Sequence, residues 1–572
     1  MPLHLKSIVV FVCAAAWPLT AAAQQQPTPA PAPTPVPAPA EDKPVGEPET
    51  TPPEAEQDLR APTPAPPPPQ PEPPAAAPAA TTTAPSTNFM DTRLSFTCGS
   101  EDTLRDATQL PSAPGFHCGR PNGLGILFFD NYDTRYSGFE TLSHLALYKH
   151  YDNGHKDLEA GVVIRFNEFS EDSIKLSDGG SYIRLGWYFD ATRAKKDGIA
   201  LVAFPVSSDR MRLGYSYRIS WGGSPEFFKG NPDAPNSVSK NPESTPGAKL
   251  QLDLGRAYAY VGVKSSLLLD PQINEKRSVL AYLGGFGADV TDMLHIDVNG
   301  GAFDRGKNEL EDVLGEPVWL YGASVQVALH SGMPVGSSID YALYRNNPES
   351  IARLFKKESY PGGLSWLISA EATTIYQTLK DYQSSGSTKT QRGYAGDVNV
   401  RVKLDYTRLK LDAMTRDVAF ILHSIPSLPT YSDFPSEYKK SPEIFASAGV
   451  DQFFPATDVT VGVTVGLDIP ATLETPTAAA IPGNMTTSTV LVVRNESDRT
   501  PLPAGEKVAP IIAVKGTAKL DLGEGFALIG NLFYQRDENV IRYARSDPNQ
   551  PFHVEFANFN QLGFDFTLQA RF

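Results

Sequence analysis

The stretch from Leu562 to Phe572 constrains the fold more than any other part of the chain. Leu562, Phe564, Phe566, Leu568, Ala570 and Phe572 fall on one side of an extended backbone, and Gly563, Asp565, Thr567, Gln569 and Arg571 on the other, because strand side chains point alternately to opposite faces. An acid, a base and an amide on one face need water, while the other face is aromatic and aliphatic. The pattern recurs upstream. Val398, Val400, Val402 and Leu404 alternate with Asn399, Arg401, Lys403 and Asp405, and after Tyr406-Thr407-Arg408 the chain returns with Leu409, Leu411 and Ala413 against Lys410 and Asp412. Val459 to Leu467 alternates with Thr460, Gly462 and Thr464, and Ala518, Leu520 and Leu522 enclose Lys519 and Asp521. Leu294, Ile296 and Val298 enclose His295 and Asp297.

Two- to four-residue turns, such as Phe454-Pro455-Ala456-Thr457 and Gly523-Glu524-Gly525, take turns with long polar excursions at Gly222 to Ala248, Ser424 to Lys440, Pro470 to Val508 and Asp537 to Pro551. Short turns at one rim and long loops at the other are the layout of a transmembrane antiparallel β-barrel. A soluble sandwich would not present charges on every inner face and aliphatics outside. Walking back from Phe572 and forward from Phe139 gives strand parities that disagree by one near residues 331–363. Demoting Ile339 to Tyr344, beside a helix-like Glu349 to Lys357, restores an even count of about 18 strands, with a range of roughly 16 to 20. Arg93 to Thr97 and Leu124 to Asp130 are the candidates for raising it. Trp187-Tyr188-Phe189 and Phe453-Phe454 suit the aromatic belts at membrane interfaces.

The all-β part is preceded by two segments of other composition. Met1–Ala23 has a polar start with Lys6, an apolar run and a small-residue exit, the pattern of a secretory signal peptide cut before Gln24. Cys13 lies inside that run, after Val12, where a lipid-anchor site would want a small residue. Residues 24–87 are Pro, Ala, Thr and Glu with a proline run at Pro66–Pro69, a composition that cannot build a core and predicts a disordered, extended periplasmic linker. Residues 88–138 form an N-terminal segment that reads either as a small plug or as a first hairpin, and residues 139–572 form the barrel. Export into an oxidising compartment lets Cys98 and Cys118 bond, closing a loop of about 20 residues worth roughly 3 kcal/mol.

On the closing pattern Phe564, Phe566, Leu568 and Phe572, the chain resembles the porin-like superfamily of bacterial outer-membrane β-barrels. Its members end in a strand whose terminal aromatic is read by the barrel-assembly machinery. The resemblance covers residues from about Asn88 onward and is architectural. In size, and in setting a barrel after an extended stretch, the chain is also similar to polysaccharide-export barrels, with no export motif matched residue by residue. Outer-membrane lipid and the assembly machinery are the partners this implies. The Pro-rich segment adds periplasmic export proteins or peptidoglycan as candidates.

No Gly-x-Ser-x-Gly elbow, His-Glu-x-x-His or phosphate loop occurs, so the sequence predicts no enzyme, no cofactor and no metal site. His295 and His423 stand singly on strand-like stretches. A net charge of −15 argues against nucleic acid. Function then falls to the lumen, whose expected lining is Lys249, Asp253, Lys264, Asp297, Arg401, Lys403, Asp405, Lys410, Asp412, Lys519, Asp521, Asp565 and Arg571. These charges either pair with one another or hydrate a channel for polar solutes. The long spacer favours export of a polymer such as a surface polysaccharide over unassisted diffusion of small solutes. A structural or adhesion barrel anchored to the cell wall is the alternative from another class.

Overall fold

The computed structural model describes residues 88–100, 102–104, 116–118, 143–169, 174–178, 181–192, 197–208, 211–217, 219–221, 245–270, 273, 275–333, 335, 363–424, 434, 437–476, 489–494, 499–503, 505–523, 525–544 and 553–571. Residues 1–87, where the signal peptide and linker are expected, Leu124–Asp130, Ile339–Tyr344, Glu349–Lys357, Phe572 and much of the long excursions lie outside these.

Eighteen long strands form one antiparallel sheet. They are β1 (Asn88–Ser100), β2 (Ser143–Asn153), β3 (Lys156–Phe169), β4 (Tyr182–Tyr188), β5 (Gly198–Phe204), β6 (Gly247–Leu254), β7 (Ala257–Asp270), β8 (Glu275–Asp289) and β9 (Leu294–Lys307). The series continues with β10 (Pro317–Ser331), β11 (Leu364–Lys380), β12 (Thr388–Leu404), β13 (Thr407–Arg416), β14 (Glu443–Phe454), β15 (Val459–Ile469), β16 (Ile511–Asp521), β17 (Phe526–Arg536) and β18 (Asn560–Arg571). From β2 to β18 each strand pairs with its successor in the series. β1 forms a staggered seam. Asn88–Arg93 pairs with β2 and Arg93–Ser100 with β18. Asn88–Ser100 is therefore wall, and of the two readings left open for residues 88–138 its first stretch takes the strand.

β10 pairs directly with β11, from Leu320 opposite Gln377 to Ser331 opposite Trp366. No strand stands between them, as the demotion of Ile339–Tyr344 required. The hairpin at β12–β13 corrects the turn expected at Tyr406-Thr407-Arg408. The turn is Asp405-Tyr406, with Thr407 opposite Leu404 and Asp405 in the left-handed region at φ 49°. A carboxylate side chain tolerates that conformation better than most.

The wall is inside out by the standard of a soluble protein. Leu158, Val162, Leu201, Val261, Val325, Leu411, Val463 and Leu568 lie on the exposed face, while Asp157, Arg184, Lys264, Asp297, Glu371 and Asp565 are buried on the other. Such an outer surface is stable only in hydrocarbon, where a backbone paired strand to strand leaves few groups unsatisfied. Trp187, Phe189, Phe286, Tyr406 and Phe454 stand exposed toward the short-turn rim, and Tyr282, Tyr321, Tyr376 and Tyr394 toward the other, the placement of interfacial aromatic girdles. Within the expected belt pairs, Tyr188 and Phe453 turn inward and are buried.

The disulfide between Cys98 and Cys118 is present. It holds the two-residue strand His117–Cys118 against Cys98 and Gly99, on the edge of β1 opposite β18. The excursions are not structureless. Lys439–Ser441, Ala471–Thr475, Thr489–Val493 and Arg499–Pro501 form a four-stranded sheet of their own, and Ile541–Ala544 pairs with His553–Phe556. Arg494 reaches Asp537 at 2.8 Å, joining the two pieces.

Candidate functional site

The expected excursion began at Gly222, but in the structure it begins at Pro205, directly after β5. Of this stretch, Ser208 and residues 211–217 and 219–221 fold inward. Met211, Leu213, Tyr217, Ile219 and Trp221 are nearly fully buried and join one apolar cluster with inward side chains from Val202 through Phe303 and Ile375 to Phe533. Leu213 and Ile219 exchange backbone hydrogen bonds in a tight reversal whose corner is Gly214, at φ 81°.

Wall residues hold this insert through its backbone. The Lys264 ammonium donates to the carbonyls of Ser208 (3.2 Å) and Met211 (3.1 Å) and to Ser220 Oγ (2.5 Å). Gly214 N–H donates to Asn299 Oδ1 at 2.8 Å. The Glu371 carboxylate accepts from the N–H groups of Tyr215 (3.2 Å) and Ser216 (2.7 Å), and from the hydroxyls of Ser324 (2.8 Å) and Thr373 (3.1 Å). Ser216 Oγ donates to Asp397 at 3.1 Å.

A second element enters from the long-loop side. After β13 the chain forms helix α1 (Val418–His423), capped by the Asp417 carboxylate accepting from Phe420 N–H at 2.6 Å. Every residue of α1 is buried. Phe420 meets Tyr217 of the insert edge-on at 5.2 Å, and Val418, Ile421 and Leu422 pack on Ala471 and Val493 of the small sheet. The helix lies so close to β12 that a Cβ on Gly393 would come 2.7 Å from the backbone nitrogen of Phe420. Burial pushes the Asp417 carboxyl above its usual range. Burial, helped by the positive charges of Arg305 and Arg499, holds the His423 imidazole well below its usual range. His423 is thus helical, not on a strand.

The expected lining residues divide as follows. Lys249 is buried with its ammonium 5.8 Å from the centre of the Tyr260 ring. Asp253 accepts from Gln251 at 2.7 Å. Asp297 accepts from the Tyr258 hydroxyl and from Asn299 (3.0 Å). Arg401 donates to Asn399 (2.8 Å), and Asn399 to Asp412. Lys519 lies 3.7 Å from Asp521, and Asp565 accepts from Asn531 at 2.8 Å. Arg401 stands opposite Lys410 and Lys403 opposite Arg408, so β12 and β13 carry two rungs of cations near the short-turn rim. Arg408, not expected from sequence, is buried there with Asp451 at 3.6 Å. Asp405 is a correction. It is an exposed turn residue whose carboxylate accepts from Gly363 N–H at 3.0 Å, because the strand ends one residue earlier than the alternation suggested. Arg571 is placed in the wall opposite Arg93. Of the closing aromatic pattern, Phe566 and Leu568 are exposed outward, and Phe564 stacks on Phe116 at 6.3 Å. His295 Nδ1 is hydrogen-bonded to the Asp289 carboxylate at 2.7 Å.

The inner face of the sheet carries both charge signs beside the apolar cluster around the insert. The fold is that of a transmembrane antiparallel β-barrel. No protein-family model matches the chain, and no curated protein matches it. Among solved structures it is similar to OpdL of Pseudomonas aeruginosa, at 8% identity over 85% of this chain and 98% of that one, with a TM-score of 0.40. It is also similar to an anion-selective porin from Comamonas acidovorans, at 8% identity over 85% and 99%, TM-score 0.39. A third is Wzi, an outer-membrane protein of Escherichia coli involved in group 1 capsule assembly and described as a carbohydrate-binding β-barrel, at 9% identity over 85% of each chain, TM-score 0.35. The ladders and the apolar outer face carry the assignment of the fold.

Proposed function

We propose that this chain is a passive outer-membrane channel for hydrophilic solutes, narrowed by its own segment 205–221. The supporting observation is the insert itself. It packs against the inner face of the wall and is fastened there by Lys264, Asn299, Glu371 and Asp397 rather than by the loop rim alone. Export of a polymer, the reading that the Pro-rich stretch favours, requires that the insert be displaced along its whole apolar contact, so small solutes are the cargo proposed. In this reading Met1–Ala23 directs export, and Phe564, Phe566, Leu568 and Phe572 of the last strand are what the assembly machinery recognises.

Planar-bilayer recording tests the proposal. The purified barrel is expected to give discrete, small conductance steps in KCl, and a variant with residues 209–221 replaced by a short Gly-Ser link is expected to give larger ones. A barrel that conducts in neither form refutes the channel. Equal conductance in both refutes the constriction.

A further inference from the structure

The outer face of the wall carries an ordered row of side chains toward the long-loop rim. Tyr282 on β8 is opposite Ala302 on β9, Ala302 opposite Tyr321 on β10, Tyr321 opposite Tyr376 on β11, and Tyr376 opposite Arg392 on β12. Cross-strand partners share a face, so three tyrosines run across the hydrocarbon-facing side and the row ends on a guanidinium. Ten residues separate Tyr394, the next outward side chain below Arg392, from Leu404 at the short-turn end of β12. At about 3.3 Å per residue and about 40° of tilt they span about 25 Å, the height of the apolar band of such barrels. Arg392, two residues further along β12, stands about 5 Å above that band, at the depth of lipid headgroups.

The Arg392 side chain is exposed, and its neighbours already orient it. Its Nε donates to Thr374 Oγ1 at 3.2 Å, and the guanidinium carbon lies 5.9 Å from the centre of the Tyr376 ring. Nε is one corner of a planar fork, so the two terminal amino groups remain to donate elsewhere. Other outward cations of this rim hold acids. Arg536 on β17 is paired with Glu538, and the Lys380 ammonium on β11 lies 2.5 Å from Asp312. Among the described residues no carboxylate is within ion-pair distance of Arg392. The Asp417 carboxyl, which feels the charges of Arg392 and Lys440, is turned to the N–H of Phe420 as the cap of α1.

We propose that Arg392, held by Thr374 and Tyr376, is a docking site for a lipid of the outer leaflet that carries a phosphomonoester headgroup. A guanidinium fork matches two oxygens of a phosphate. A phosphate esterified on one side offers more oxygens and more charge to that fork than one esterified on both. Tyr321 and Tyr376 extend the site sideways as a shelf at the level where amphipathic rings meet headgroups. A basic side chain at this depth gains from anionic lipid. The same charge at mid-bilayer would be destabilising. The site lies on the outside of the wall, so it stands whether or not the lumen conducts.

Native mass spectrometry of the purified full chain in mixed micelles tests this. Phosphatidic acid is the phosphomonoester probe, with phosphatidylglycerol and phosphatidylcholine as the doubly esterified ones. The wild type is expected to retain phosphatidic acid in preference to the other two. Arg392→Gln should weaken that retention about tenfold or more, the loss expected for a charge-assisted pair. Arg392→Lys, which keeps the charge but not the fork, should fall between. Lys380→Gln, which removes a cation already held by Asp312, should bind as the wild type does. Heat-modifiable mobility on gels checks that each variant is folded, and if Arg392→Gln is not, the wild type and Arg392→Lys carry the comparison. Retention unchanged in the folded Arg392 variants, or lost equally in Lys380→Gln, overturns the site. Equal retention of the three lipids by the wild type overturns the phosphomonoester preference. Displacement of phosphatidic acid by an equal concentration of inorganic phosphate makes the occupant a free anion and overturns the lipid.

Discussion

A one-residue step along β14 reverses the environment completely, and this allows a strict test of which face meets lipid. Ala448 is exposed on the outer face between Leu411 and Val465. Its neighbour Ser447 is buried on the inner face, opposite Asp412, with its hydroxyl 3.4 Å from that carboxylate. Both lie near the middle of the twelve-residue strand. Ala448→Lys places an ammonium in hydrocarbon close to mid-depth, where a barrel loses about 2–4 kcal/mol. At 1.4 kcal/mol per factor of ten this is roughly a 30- to 700-fold loss in the folded-to-unfolded ratio. Ser447→Lys introduces the same side chain beside an acid in a polar interior, and should cost under about 1 kcal/mol. Reversible urea unfolding in thin phosphatidylcholine vesicles, followed by tryptophan fluorescence, measures both. If Ser447→Lys is destabilised as much as Ala448→Lys, the assignment of inner and outer faces is wrong.

Three further outcomes follow from the geometry. Lys264→Met removes three hydrogen bonds from a charged donor to the insert and should loosen its docking by at least one such bond, about 1.5–3 kcal/mol; acrylamide quenching of Trp221, 1% exposed in the native protein, should rise, and unchanged quenching would count against the anchor. Cys98→Ser with Cys118→Ser should lower stability by roughly 3 kcal/mol on the loop-entropy model, with dithiothreitol producing the same shift in the wild type and none in the variant. Because the folded chain holds His423 well below its ordinary pKa of 6.5, the unfolded chain takes up a proton that the folded one refuses; the contribution of α1 is complete above about pH 6.5 and declines with acidification below it. Hydrogen exchange of residues 418–423 should show this slope, and His423→Leu should flatten it.

The wall was legible from sequence because a strand between lipid and water must alternate, and β12, β13, β15, β16 and β18 do so without interruption. The even count also came from sequence, since direct pairing of β10 with β11 is what the parity of the turns demanded. The insert was not legible. Leu213, Tyr215, Tyr217, Ile219 and Trp221 alternate as a wall strand does, and nothing in that spacing tells whether the apolar face meets lipid or the inside of the barrel. The lumen charges were found by their face, but their partners were not, because pairing depends on register across strands. Asp297 and Glu371 are 74 residues apart by number and two strands apart in the sheet. Glu371 itself escaped notice, as its neighbours Ala370 and Ala372 are too small to mark the outer face strongly.

The staggered seam at β1 has a consequence for how the sheet is completed. Nearly every ladder joins strands that follow one another in the chain, so its contacts form locally, whereas the hydroxyls of Thr97 and Thr567 meet at 2.8 Å across 470 residues. Local pairings carry little loop-closure entropy, and the one joint that ties β1 to β18 carries the largest. Assembly is therefore expected to run as a growing curtain of hairpins that stays open along a single line until its final strand is delivered, with the edges of β1 and β17 unpaired until then. A chain arrested before β18 leaves both edges to pair with other molecules.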